Sequence, residues 1–263
     1  MQDLTISLVQ SPLVWEYPDA NLRHFDKMFH GLDEASDLII LPEMFNTGFT
    51  MNAESNAEVM GGSSMQWMAE TAAERQCDIC GSLIINEGGS HYNRFIWMRP
   101  DGIHEHYDKK HLFRMGDEHL YFSGGDTRLI VELNGWKIMP MICYDLRFPA
   151  WSKNEYQDDA YAFDLLIYVA NWPAVRSHAW TSLLTARAIE NMAYAVGVNR
   201  IGKDGRDYEY NGKSMLVAPD GQCIHEIQAN KEAISTVRLK AAPMLELRAK
   251  LGVGKDWDKF ELL

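Results

Sequence analysis

The sequence predicts an α/β protein in which mixed sheets carry helices on their outer faces, within one layered domain spanning residues 1–263. Three observations lead there. Strand-like and helix-like stretches alternate through the first third of the chain. The pattern then changes to hairpins, marked by Asn134-Gly135 and by Pro219-Asp220-Gly221. No repeat, low-complexity tract or flexible linker divides the chain, and 263 residues can bury one large core.

Leu4 to Gln10 reads as a first strand, Asp19 to Leu32 as an amphipathic helix, and Asp37 to Leu41 as a second strand. Ser63 or Ser64 can cap a helix running to Arg75, followed by a strand from Ile79 to Ile85. Arg94 to Met98 and Ile103 to Tyr107 form one predicted hairpin around Arg99-Pro100-Asp101-Gly102. Arg128 to Leu133 and Trp136 to Ile142 form another, around Asn134-Gly135. Leu165 to Val169 is apolar throughout, as a strand buried on both faces is. A helix from Ser177 to Asn191 and a strand from Tyr194 to Val198 follow. The chain closes with the hairpin Met215 to Ala218 and Cys223 to Ile227, a strand from Ala233 to Leu239, and a helix from Pro243 to Lys250.

Composition narrows the function. Hydrophobic residues make up 46% and charged residues 24%, an ordinary balance for a globular protein. A formal net charge of −12 argues against nucleic acid or an anionic membrane as partner, so an anionic substrate would need a locally cationic pocket. No apolar run is long enough to cross a bilayer, and Met1 to Thr5 does not open a signal peptide, so a cytoplasmic protein is expected. Four cysteines do not make a disulfide framework in a chain of this length. Cys77 and Cys80 form a C-x-x-C with no second ligand pair, and they read, like Cys223, as strand residues.

Cys143 is the most informative residue. It follows the apolar run Met139-Pro140-Met141-Ile142 and precedes a polar stretch that reads as the opening of a helix. A thiol there gains backbone N–H donors and the positive end of a helix dipole, which favour a thiolate nucleophile. The competing reading is an inert buried cysteine. Two other strand ends carry chemistry. Glu43 follows Leu38-Ile39-Ile40-Leu41-Pro42, where Pro42 stops the ladder and leaves a partly dry carboxylate able to accept a proton. Lys109-Lys110 closes the first hairpin, and one of the two can turn inward as a cation for an oxyanion.

Leu41-Pro42-Glu43, Tyr107-Asp108-Lys109-Lys110-His111 and Cys143-Tyr144-Asp145-Leu146-Arg147-Phe148-Pro149 stand in order and register, with Asn171-Trp172-Pro173 and Arg187 to Asn191 behind them. This set resembles the nitrilase superfamily of carbon–nitrogen hydrolases, and most closely its ω-amidase branch. The resemblance implies a four-layer α-β-β-α sandwich whose protomers pair across a homodimer. It implies a triad of Glu43 as base, Lys109 as cationic stabiliser (the family pattern Lys-x-His places Lys110 at x) and Cys143 as nucleophile, with Glu118 as the assisting second glutamate. The implied substrate is a small amide of a 2-oxo acid, hydrolysed through a thioester with no metal or organic cofactor. Arg147 is the candidate cation for the substrate carboxylate, or else a structural partner of Asp145. Phe45, Tyr144 and Trp172 are candidate apolar walls.

Three alternatives compete. The same fold can serve a nitrile, a carbamoyl amine or a simple aliphatic amide. A papain-like Cys-His hydrolase would take His111 as its base. A binding or scaffold protein would keep the pocket sealed.

Overall fold

The computed structural model describes residues 1–32 and 34–262. The first part of the chain supplies β1 (Leu4–Gln10), β2 (Leu38–Ile40), β3 (Asp78–Glu87), β4 (Ser90–Met98) and β5 (His104–Asp108). The middle supplies β6 (Val131–Leu133), β7 (Trp136–Ile142), the short pair β8 (Tyr156–Gln157) and β9 (Ala160–Tyr161), then β10 (Leu165–Ala170) and β11 (Tyr194–Asn199). Last come the pair β12 (Ile201–Lys203) and β13 (Glu209–Asn211), β14 (Met215–Val217), β15 (Cys223–Glu226) and β16 (Ala233–Leu239).

These strands form two six-stranded sheets, in the orders β16-β1-β2-β3-β4-β5 and β15-β14-β11-β10-β7-β6. Each sheet has three parallel strands at its centre, β1-β2-β3 in one and β7-β10-β11 in the other, and antiparallel strands outside them. The fully apolar runs read from the sequence are these central strands, buried on both faces.

Alternation sorts the side chains into layers. Leu38 and Ile40 point at the second sheet and join Ile6, Leu8, Phe95, Ile138, Leu165 and Ile167 in the core between the sheets. Ile39 and Leu41 point the other way, into a core shared with Phe25, Phe29, Trp67 and Met68 of the helices Pro18–His30 and Ser63–Arg75. Trp180, Leu184 and Ala188 of the helix Ser177–Asn191, with Met244 of the helix Ala241–Leu251, cover the outside of the second sheet. The result is an α-β-β-α sandwich.

Local differences from the sequence reading have identifiable causes. Strands β3 and β4 form a long hairpin through Gly88 and Gly89, both at positive φ (60° and 82°), a turn signal the periodicity count passed over. The helix Ser63–Arg75 is not capped by its own serines. Its N-cap is Gly62, and the Glu58 carboxylate accepts the Ser64 N–H at 2.9 Å. Strand β6 is three residues long, shorter than the run from Arg128. Cys143 opens only a 3₁₀ turn, Cys143–Arg147, rather than an α-helix. Cys77 and Cys80 are buried at β3 as expected, whereas Cys223 lies exposed on the edge strand β15.

Candidate active site

Strands β2, β5, β7 and β10 end near one point, where the residues that follow them line a common pocket. After β2, Leu41 N–H makes the last ladder bond to Cys80 O at 2.8 Å. Pro42 has no N–H to continue it, and the chain reverses at Met44, with φ of 43° and its N–H on Ser82 Oγ at 2.8 Å. Glu43 is thereby turned inward and fully buried. Lys109 follows β5. Its backbone is pinned to Asn93 O at 3.0 Å and to Gly125 N–H at 3.0 Å, and any Cβ on Gly125 would collide with the Asp108 carbonyl. Cys143 ends β7 with φ of 43°, a strained conformation for a residue carrying a Cβ and one that the surrounding packing has to hold.

The charged groups form one buried cluster. Lys109 Nζ donates to Glu43 Oε1 at 2.9 Å and to both oxygens of Glu118 at 3.0 Å. Asn93 Nδ2 bridges the two carboxylates, at 2.8 Å from Glu43 Oε1 and 3.2 Å from Glu118 Oε1, while its own Oδ1 accepts from Ser82. Burial works against the Lys109 ammonium, but Glu118 and Glu43 outweigh it and hold its pKa above the ordinary value. Burial, assisted by the Glu43 charge, raises the Glu118 carboxyl against the pull of Lys109. The Cys143 thiol lies against Glu43. Burial and that carboxylate push the thiol well above its usual range, and Lys109 only partly compensates. Burial and the Glu43 charge thus oppose the thiolate that the strand-end position by itself would favour, and a short 3₁₀ turn supplies little dipole to offset desolvation.

A third buried carboxylate ties the Lys109 and Cys143 segments together. Asp145, inside the nucleophile turn, accepts Ile142 N–H at 3.1 Å, Tyr107 O–H at 2.8 Å and His111 N–H at 3.0 Å. Tyr107 and His111 flank Lys109, so Asp145 fixes the lysine segment relative to Cys143. With its acceptors thus used, Asp145 does not pair with Arg147. That guanidinium instead lies 4.9 Å over the Trp172 ring at the pocket rim and joins no ion pair among the described residues. Arg187 pairs with Glu190 at 2.8 Å and also donates to Leu146 O at 2.6 Å, anchoring the nucleophile turn to the outer helix.

Glu43, Lys109 and Cys143 line the pocket together with Tyr144, Arg147 and Trp172. Glu118 lies behind Lys109. Phe45 does not reach the pocket. Its backbone reversal sends the ring to the opposite face of the sheet, where it packs against Phe25 at 5.9 Å and Trp67 at 5.8 Å. Gly81 makes room for it, since a Cβ there would stand 2.9 Å from the Phe45 ring. Phe45→Ala is accordingly a stability variant: a loss of about 3–5 kcal/mol in thermal or urea unfolding, with KM near the wild-type value.

The aromatic walls that the sequence reading missed are Phe49 and Phe113, with the Lys109 ammonium 4.9 Å from the Phe49 ring. Arg176 and the β12–β13 hairpin, carrying Arg206, Tyr208 and Tyr210, complete the rim. Asp204-Gly205 was the available turn signal for that hairpin. Nothing in the sequence placed Phe49, because its position depends on the reversal at Met44. Among the described residues no group of three or more His, Cys, Asp or Glu could hold a metal ion. Among the same residues no helix is long and apolar enough to cross a membrane.

A thiol flanked by a carboxylate base and an ammonium is suited to opening acyl–nitrogen bonds, the chemistry of cysteine-dependent amide hydrolases. The chain belongs to the carbon–nitrogen hydrolase family, whose model matches residues 5–249. It is 45% identical over 264 residues to the ω-amidase YafV of Escherichia coli (strain K12), covering 100% of both chains. It is 32% identical over 255 residues to the 2-oxoglutaramate amidase of Bacillus subtilis, covering 96% of each. The crystal structure of XC1258 from Xanthomonas campestris, a CN-hydrolase superfamily protein with an arsenic adduct in its active site, matches with a TM-score of 0.97. That match is 41% identical and covers 100% of both chains.

Proposed function

We propose that the protein is an ω-amidase, deamidating 2-oxoglutaramate and 2-oxosuccinamate to the 2-oxo dicarboxylate and ammonia. The observation that carries this reading is the Cys143 thiol beside Glu43 and Lys109, in a pocket whose rim presents Arg147 without an acidic partner. The relatives named for ω-amidase and 2-oxoglutaramate amidase activity support the choice of substrate.

Glu43 takes the thiol proton as Sγ attacks the amide carbon. The oxyanion is met by the Lys109 ammonium and by the Tyr144 N–H at the open end of the 3₁₀ turn. Glu43 returns the proton to nitrogen, the C–N bond breaks, and ammonia leaves a thioester on Cys143. Glu43 then deprotonates a water that attacks the thioester, and the proton it holds goes back to the thiolate as the acid departs. Glu118 keeps the ammonium in place from behind, and no step requires a metal or organic cofactor. A cytoplasmic homodimer is part of this reading, carried by the family resemblance.

The test is ammonia release from 2-oxoglutaramate, 2-oxosuccinamate, glutamine and a simple nitrile. Turnover of the two oxo-amides above the others is the expected result. Turnover confined to glutamine or the nitrile would overturn the substrate assignment. Arg147→Ala is expected to raise KM for 2-oxoglutaramate by roughly 10–100-fold with a smaller change in kcat, because a charge-assisted hydrogen bond to the carboxylate is lost in ground and transition states alike. An unchanged KM would remove Arg147 from the substrate site.

A further inference from the structure

Asn171 caps the carboxyl end of β10 and lines the pocket beside Cys143, yet the mechanism above gives it no part. The residue is 4% exposed. One side of it is fully engaged with the base: the backbone N–H donates to Glu43 Oε2 at 2.8 Å, and Nδ2 donates to the Glu43 carbonyl at 2.7 Å and to Oε2 at 3.4 Å. Asn171 Oδ1 is buried with no hydrogen-bond partner among the described residues. Exchanging the amide's oxygen and nitrogen would not relieve this, since oxygen would then face a carbonyl and a carboxylate.

A buried, unpaired amide oxygen costs about 1–3 kcal/mol, and native structures keep few of them. The position is also built rather than loose. Asn199, on the neighbouring strand, accepts Trp172 N–H at 2.8 Å and donates to Trp172 O at 3.0 Å, fixing the residue next in sequence. The Cys143 sulfur lies 3.9 Å from the Asn171 backbone carbonyl oxygen, so the residue adjoins the attacking atom in the pocket that both line.

We propose that Asn171 is a further catalytic residue whose Oδ1 accepts an N–H of the scissile amide and of the departing ammonia. A primary amide has two N–H groups. One meets Asn171 Oδ1, and this turns the nitrogen lone pair toward Glu43, which delivers the thiol's proton as the C–N bond breaks. The same acceptor makes the site selective for primary amides, because neither an ester nor a nitrile has an N–H to offer and an N-alkyl group would leave Oδ1 buried and unpaired. The proposal rests on the amidase reading but not on which acid carries the amide.

The experiment compares kcat/KM for 2-oxoglutaramate and for the ω-methyl ester of 2-oxoglutarate, in wild type, Asn171→Ala and Asn171→Ser. Loosening of Glu43 slows the thiol deprotonation that both substrates share, so the ester falls with the amide, whereas loss of the N–H acceptor slows only the amide. The expected result is a fall for the amide at least tenfold larger than for the ester in either folded variant. Equal falls would overturn the proposal and leave Asn171 as a tie for Glu43. The wild type supplies a readout that no folding defect can obscure: the ω-N-methyl amide is expected to react at least tenfold more slowly than the primary amide, and turnover within threefold of it would overturn the proposal. If wild type hydrolyses glutamine but not the oxo-amide, the substrate assignment fails, and the same comparison with glutamine, its γ-methyl ester and its N-methyl amide still decides the role of Asn171.

Discussion

Cys143→Ala is expected to abolish ammonia release from 2-oxoglutaramate, with kcat falling by on the order of 10⁴-fold or more, while the protein unfolds at close to the wild-type temperature. The covalent route has no substitute nucleophile in this pocket: Cys77 and Cys80 are buried at β3, and Cys223 sits on an edge strand. Stability is spared because the turn is held by Asp145 and its donors rather than by the thiol. Mass spectrometry of wild type quenched during turnover is expected to show the acyl adduct on the Cys143 peptide and none on Cys223. Activity retained in the variant would sink the nucleophile assignment.

Lys109→Met is expected to fail twice. Removing the ammonium leaves Glu43 and Glu118 buried with neutral donors alone, Asn93 to both, Asn171 to Glu43 and the Phe113 N–H to Glu118. An uncompensated charge of this kind costs about 3–5 kcal/mol. The oxyanion also loses its cation, a further ~10²–10³-fold in kcat for whatever fraction stays folded. The two effects separate in the Lys109→Met/Glu118→Gln double variant. Neutralising Glu118 is expected to restore much of the unfolding free energy, read by urea denaturation, and none of the activity. Recovery of activity in that double variant would mean that Lys109 only neutralises the carboxylates.

The alternatives raised by the sequence separate on particular residues. His111, the base a papain-like enzyme would need, contacts Asp145 at 2.8 Å and stacks on Phe148 at 3.7 Å; Glu43 is the group against the thiol. The pocket is open at its rim, where Arg147 and Arg206 are exposed, which does not fit a sealed scaffold. Arg147 also shows how a local pairing argument goes astray. Asp145 is two residues away in sequence, yet its oxygens are claimed by Tyr107 and His111, which lie 38 and 34 positions distant.

Much of the layered fold was already specified by the order of residues. A strand buried on both faces reads as an apolar run wherever it occurs, so β2, β7 and β10 announced themselves, and the polar residues at their ends marked the strand ends that meet at the site. Glu43, Lys109 and Cys143, which line one pocket, stand out in the sequence for the same reason: each breaks an apolar or hairpin pattern at a strand end, a property of neighbours in sequence. The tertiary structure alone decided what depends on direction and on distant partners. The reversal at Met44 sends Phe45 to the outer core and leaves Phe49 at the pocket. Desolvation by the packed sheets and the Glu43 charge raise the Cys143 thiol, against the helix-end effect that its neighbours in sequence suggest. The unpaired oxygen of Asn171 is visible only once Glu43, from 128 residues away, has taken the other side of the amide. Periodicity records which residues leave water. It holds no information about which of two buried groups, far apart in the chain, will face each other, and charge, hydrogen bonding and catalysis depend on that pairing.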